Sequence, residues 1–279
     1  MKYYFKLLRP KHYIKNLIIF IPLVFAGKLL NAPLMLSCLG AFAVFSLISS
    51  VIYIINDLRD VEKDRQHPTK RNRPIASGKV KPAGAITAAA IILVLSVVIG
   101  ILCRFGWAAW LILGVYFALN LAYSLGLKRI PILDVTILAL GYILRLMLGG
   151  AVTGIEISGW LYLVIISVSY YMGLGKRRNE MRSTSTESRE VLRHYNYSFL
   201  DKSMQMFLTL AIVFYSLWAV SAEKNMLWTI PLVICIALKY SLTIEGDSDG
   251  DPVEVILRDK ILILLAFAYA ALVVWLIYI

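Results

Sequence analysis

The chain has 279 residues, 59% of them hydrophobic and 16% charged, with a mean hydropathy of +0.74. Soluble domains are nearer about 45–50% apolar and about a quarter charged, so this is a membrane-protein composition. It excludes a disordered chain, a collagen-like fibre and a disulfide-built secreted scaffold. The 29 Lys and Arg outnumber 17 Asp and Glu, a net charge of +12. Cys38, Cys103 and Cys235 lie in apolar runs and read as small core residues, not as a disulfide framework or metal site.

A bilayer crossing takes roughly 20 apolar helical residues. Apolar runs at about 14–30, 34–56, 82–103, 107–126, 132–153, 158–174, 203–222, 226–244 and 260–278 predict an all-α, polytopic bundle of about nine transmembrane helices. Residues 1–13 mix Lys with Tyr3, Tyr4, Phe5, His12 and Tyr13, and read as an interfacial segment, not a cleaved signal peptide. If the spans alternate, 25 of the 29 cations fall on one side, in the N-terminal segment and the even-to-odd connections. The positive-inside rule makes that side cytoplasmic, with the N-terminus on it. Such one-sided charge does not point to nucleic acid. The connections at 57–81 and 175–202 read as the working loops of a single membrane domain spanning 1–279.

The segment Asn56-Asp57-Leu58-Arg59-Asp60-Val61-Glu62-Lys63-Asp64 follows the second span. Continued as a helix, it puts Asn56, Asp60 and Asp64 on one face, joined by Asp57. Carboxylates this close repel unless a cation lies between them, and hard oxygen ligands select Mg²⁺. The sequel Lys70-Arg71-Asn72-Arg73-Pro74-Ile75-Ala76-Ser77-Gly78 is a basic loop with turn residues. Carboxylates for a metal beside Lys and Arg donors suit a diphosphate.

With these residues, Asn-Asp-x-x-Asp-x-x-x-Asp after the second of about nine helices resembles the first motif of the UbiA-type intramembrane prenyltransferases. The resemblance spans essentially the whole chain and implies a Mg²⁺-bound diphosphate at the cytoplasmic mouth of a helical bundle. That family carries a second Asp-rich motif between helices six and seven. Here the loop reads Gly173-Leu174-Gly175-Lys176-Arg177-Arg178-Asn179-Glu180, basic where the family is acidic, with Glu180 as its acidic residue. The variant pattern is similar to the decaprenyl-phosphate phosphoribosyltransferase branch. The matching segments are the opening Arg9-Pro10-Lys11-His12-Tyr13-Ile14-Lys15-Asn16, His67-Pro68-Thr69-Lys70-Arg71, Asp134-Val135 with Leu144-Arg145, and Gly175-Lys176-Arg177. The branch implies transfer of 5-phosphoribose from phosphoribosyl diphosphate to a polyprenyl phosphate, with Mg²⁺ as cofactor and a plasma-membrane setting. A homo-oligomer is left open.

On that reading Asn56 and Asp60 are the strongest metal ligands, supported by Asp57 and Asp64. Lys70, Arg71, Arg73, Lys128, Arg129, Lys176 and Arg177 hold phosphates, and Lys15 and Asn16 meet the donor or the lipid headgroup. Arg145 lies half-way through the fifth span, where a guanidinium is costly. With Asp57 and Asp60 it reads as a catalytic residue, facing the substrate chamber to bind phosphate or orient a ligand; a salt bridge to another span is the alternative. Asp134 lies eleven residues earlier on the same stripe. Tyr53 and Tyr123 point to the same mouth. The lipid phosphate, with a second pKa of about 6, attacks without an obligatory base; His67 and His194 rank low as bases. Two alternatives stay open: a prenyltransferase moving a prenyl group onto an aromatic acceptor, and an anion transporter. Asp247-Ser248-Asp249-Gly250-Asp251 is not a calcium loop, because Pro252 and Arg258 stand where Gly and Glu are required. Gly149 and Gly150 predict close helix packing.

Overall fold

A computed structural model describes residues 2–68, 70–183, 190–222, 225–246 and 252–279. Thr69 of the His67–Arg71 match, the Asp247–Asp251 loop and residues 184–189 of the second working loop lie outside the described residues. The described residues are helices and turns, with no strand among them. The chain divides into two compact units, one of Met1–Leu23, Lys28–Leu125 and Leu144–Ile155, the other of Val24–Gly27, Gly126–Ile143 and Glu156–Ile279.

The first unit holds α1 (Lys2–Leu7), a 3-10 stretch Pro10–Phe20, α3 (Ala32–Arg59), α4 (Val61–Gln66), α5 (Pro82–Leu102) and α6 (Trp107–Leu125). The side chain of Asn31 starts α3 by accepting from the Leu34 N–H at 3.2 Å. The core packs Phe45, Ile48 and Ile52 of α3 against Ile112, Leu113 and Tyr116 of α6, with Ile19, Leu144 and Leu148. Gly149 is required where it stands: a Cβ there would run into the backbone carbonyl of Ile19. The expected close packing is therefore against the 3-10 stretch.

The second unit contains α2 (Ile21–Phe25) in part, α8 (Gly159–Ser183), α9 (Tyr197–Ser221), α10 (Ile230–Glu245), α11 (Pro252–Arg258) and α12 (Lys260–Tyr278). Helix α7 (Leu133–Thr153) supplies its first half to this unit and its second half to the other. α8 runs along α9, and Val135, Tyr171, Leu174, Leu200, Met204 and Ile244 share one core. Asn196 caps α9 by accepting from the Phe199 N–H at 2.8 Å. Asp259 caps α12 through the Ile261 and Leu262 N–H groups. Bonds from the Lys239 ammonium and the Thr243 hydroxyl hold its carboxyl well below the usual carboxylate range.

Seven helices among the described residues are long and apolar enough to cross a membrane, which makes the protein multi-pass. Two of the expected runs differ. The first, 14–30, is a 3-10 stretch passing into the five-residue α2, with Pro10 opening the one and Pro22 inside the other. The sixth is α8, long enough at 25 residues but diluted by tyrosines, serines and a Lys-Arg-Arg run.

Candidate active site

In the first unit α3 ends at Arg59, the backbone bends at Asp60 (φ −91°, ψ 13°), and α4 takes over. Bonds from the Asp60 N–H to the Asn56 carbonyl (2.9 Å) and from the Asp64 N–H to the Asp60 carbonyl (2.8 Å) carry the four-residue spacing across the bend. Helical spacing is therefore kept from Asn56 to Asp64. Arg59 ties this segment to α6 by donating to the Leu125 carbonyl, and Ser124, next to the half-buried Tyr123, donates to Asn56 Oδ1 at 3.4 Å.

The basic loop folds back onto this segment. Ile75 and Val80 are buried beside Val51 and Ile54, and the Val80 N–H bonds to the Pro74 carbonyl. That anchoring brings Arg73 to two carboxylates: its Nη1 donates to Asp57 Oδ1 (3.0 Å) and Asp64 Oδ2 (2.7 Å). Arg9 adds a second guanidinium, donating to Asp57 Oδ1 at 2.5 Å and lying 4.9 Å from the Tyr53 ring centroid. His12 packs against the same Tyr53 with the rings tilted by 48° and their centroids 5.5 Å apart. Asp57 and Asp64 are almost fully buried, whereas the Arg9 and Arg73 side chains keep 21% and 25% exposure.

The sequence reading gave Arg9 no role of its own. Its signal is conformational: it takes a left-handed backbone (φ 53°), which costs a non-glycine residue about 1–2 kcal/mol and is unfavourable before proline. Such strain persists where surrounding contacts hold it, here at Asp57.

A guanidinium thus stands between carboxylates where the sequence suggested a metal ion. No group of three acidic, His or Cys side chains among the described residues is arranged to hold a metal. The donor set does not fit an all-protein cage. It does fit Mg²⁺ held by one or two carboxylates with substrate phosphates completing the shell. Lys70 and Arg71 are exposed on a 3-10 turn, and burial together with Lys70 lowers the His67 pKa.

Arg145, on α7, is buried in the same unit. Its Nε donates to Asn16 Oδ1 (2.7 Å), its Nη2 to the Tyr116 hydroxyl (3.4 Å), and its guanidinium stacks on Phe45 and Tyr116. Asn16, itself 1% exposed, donates to Ser46 Oγ at 2.8 Å. Asn16 is therefore an interior residue, and Lys15 beside it is half-buried. The sequence reading missed Phe45, Tyr116 and Ser46, for which apolar helix patterning carries no signal.

In the second unit Arg177 and Asp134 are both fully buried. Arg177 Nε donates to Asp134 Oδ2 at 2.5 Å and its Nη1 to Glu180 Oε2 at 2.6 Å. The Tyr195 hydroxyl donates to Asp134 Oδ1 (2.7 Å) and accepts from the Ile132 N–H (2.6 Å). Burial, and that bond to Asp134, push the Tyr195 phenol up. Ile132 has φ +68°, an outlier for a β-branched residue, and the Tyr195 bond holds it. The network fastens the Leu127–Arg129 turn, and with it Lys128 and Arg129. Arg129 meets Glu190 at 3.6 Å, both side chains more than half exposed. Lys176 is half-buried, and Arg178 pairs with Asp201. Asp134 and Arg145 share α7, but each finds its partners in a different unit.

Comparison with known proteins gives these features a family. Residues 17–254 match the model of the UbiA prenyltransferase family. The decaprenyl-phosphate phosphoribosyltransferases of Corynebacterium glutamicum (35% identity, 98% of this chain and 86% of the relative) and Mycolicibacterium smegmatis (37%, 95% and 89%) are similar nearly end to end. The structure of a UbiA homolog from Archaeoglobus fulgidus bound to DMAPP and Mg²⁺ superposes with a TM-score of 0.74 at 19% identity, over 97% of this chain and 98% of the other. The chain belongs to the UbiA prenyltransferase family.

Proposed function

We propose that this protein transfers 5-phosphoribose from 5-phosphoribosyl 1-diphosphate to a polyprenyl phosphate of the decaprenyl type, releasing diphosphate. The observation that carries the reading is the near end-to-end similarity to two phosphoribosyltransferases of that name. The geometry supports it: guanidiniums gather on the acidic motif, as a donor with three phosphoryl groups needs.

In the reaction a lipid phosphate oxygen bonds to C1 of the ribose while the bond from C1 to the diphosphate oxygen breaks. The diphosphate leaves with the bonding pair, and an oxocarbenium-like charge develops on the ring. Mg²⁺, when bound, supplies Lewis-acid stabilisation of the leaving diphosphate. Asn56 and Asp60 are the residues that would hold it. Arg9 and Arg73, which keep about a fifth to a quarter of their side-chain surface in solvent, can exchange a carboxylate for a phosphate oxygen. Lys70 and Arg71 add charge in the first unit, and Lys128, Arg129 and Lys176 in the second. Asp134, Arg177 and Glu180 act through position, as do Asn16 and Arg145. The lipid phosphate is largely dianionic near neutral pH, so no base is needed. The active site belongs to the cytoplasmic side of the plasma membrane, where a soluble sugar diphosphate is met.

Purified protein, Mg²⁺, labelled phosphoribosyl diphosphate and a polyprenyl phosphate test this. Label should enter the lipid fraction; its failure to do so, while a prenyl diphosphate reacts with an aromatic acceptor, overturns the assignment.

A further inference from the structure

A groove of about 630 Å³ opens in the first unit between α1, the end of α3 and the first half of α5. Phe5 and Leu8 form one wall, Ile54 the floor, and Ala88, Ile91 and Ile92 the other wall; almost no polar surface faces it. Phe5 and Ile91 are each 62% exposed. The catalytic reading uses none of these residues.

The rim is as one-sided as the interior is apolar. Lys2 lines the groove, and Lys79 Nζ lies 4.9 Å from the Tyr3 ring centroid, bringing that ammonium to α1. Tyr4 rests against α5 at Gly84, where a Cβ would meet its hydroxyl. The chain has no Asp or Glu before Asp57, and none between Asp64 and Asp134, so α1 and α5 carry no acidic residue, and Asp57 at the end of α3 is buried and paired with Arg9 and Arg73. An apolar slot with a cationic rim matches an amphiphile with a long hydrocarbon tail and an anionic head.

α1 depends on its contacts to stay in place. It has six residues, too few for an independently stable helix, and Leu7 is its buried residue. Arg9, two residues beyond it, is the strained residue that pairs with Asp57. What seats α1 therefore bears on the acidic motif.

We infer that this groove binds an anionic phospholipid of the adjoining leaflet. Its chains lie along Ala88, Ile91 and Ile92 and its head lies at Lys2 and Lys79, so that the lipid docks α1 and helps to keep Arg9 on Asp57. The site is separate from that of the transferred group, and binding is read without any transfer reaction, so it can fail or hold independently of the proposed activity.

Native mass spectrometry of the full chain released from nanodiscs is the test, using phosphatidylcholine with or without phosphatidylglycerol. The wild type should retain phosphatidylglycerol in preference to phosphatidylcholine. Lys2→Ala with Lys79→Ala should cut that preference on the order of 30-fold, the weight of two lysines near an anionic surface. Ala88→Phe, which fills the groove, should lose the retained lipid while keeping its thermal midpoint. Equal retention of the two lipids, or undiminished retention in both variants, overturns the inference. So does displacement of the bound phosphatidylglycerol by equimolar polyprenyl phosphate, which would make the groove the acceptor's site.

Discussion

Both units contain an ion-pair network of arginine and aspartate, and the two differ in access to water. In the first, Asp57 and Asp64 are buried but their partners Arg9 and Arg73 keep about a fifth to a quarter of their side-chain surface. In the second, Arg177 and Asp134 are wholly buried and are completed by Tyr195 and Glu180. A partly exposed guanidinium can trade partners at lower cost, whereas separating a fully buried pair leaves charge poorly compensated in low dielectric. The first network is suited to handling phosphates and the second to holding a loop.

This contrast can be broken by substitution. The largest effect is expected from Asp60→Ala: transfer should fall by about 10³-fold or more, the scale of losing a principal electrostatic stabiliser, with an unchanged melting curve. Asp134→Ala should show the opposite pattern. It leaves Glu180 as the described acidic partner of buried Arg177 and takes the acceptor from the Tyr195 hydroxyl, which costs about 3 kcal/mol of stability, measurable by thermal unfolding in detergent, while turnover per folded molecule stays near wild type. Replacing both members of that pair by leucine should recover much of the loss.

Arg73→Gln should raise the KM for phosphoribosyl diphosphate by about 10- to 100-fold, the value of one charge-assisted contact, and Arg73→Lys should not restore it. Steady-state kinetics decide; an unchanged KM would assign Arg73 to the fold. The smallest effect concerns His67. Its folded pKa is depressed, so the folded state binds its proton less readily than the unfolded chain. Stability should be fully present above the unfolded value of about 6.5 and decline slightly as pH falls below it. His67→Gln should remove that slope without altering the rate at neutral pH.

Much of this was legible in the residues. Four-residue spacing drew attention to Asn56, Asp60 and Asp64, and hydropathy located most helices to within a few residues, although α8 ends at Ser183, not 174, and α9 starts at Tyr197, not 203. Partners across the chain were not legible. Arg9 and Asp57 are 48 residues apart, Arg177 and Asp134 are 43 apart, and helical periodicity carries no information about either pairing. For the same reason Arg177 reads as a phosphate contact in a basic run, although its charge is spent internally. Asp134 and Arg145 do lie on one helix, yet the halves of α7 pack in separate units. The first span failed to form as one α-helix because local chain chemistry at Pro10 and Pro22 outweighed average hydropathy.

Calorimetric titration of phosphoribosyl diphosphate into purified protein, with the lipid acceptor absent, tests the central claim most directly. The wild type should show saturable binding that requires Mg²⁺, and Asp60→Ala should show none. Binding that survives in Asp60→Ala or in chelator, or a prenyl diphosphate that binds more tightly than the sugar donor, would contradict the account.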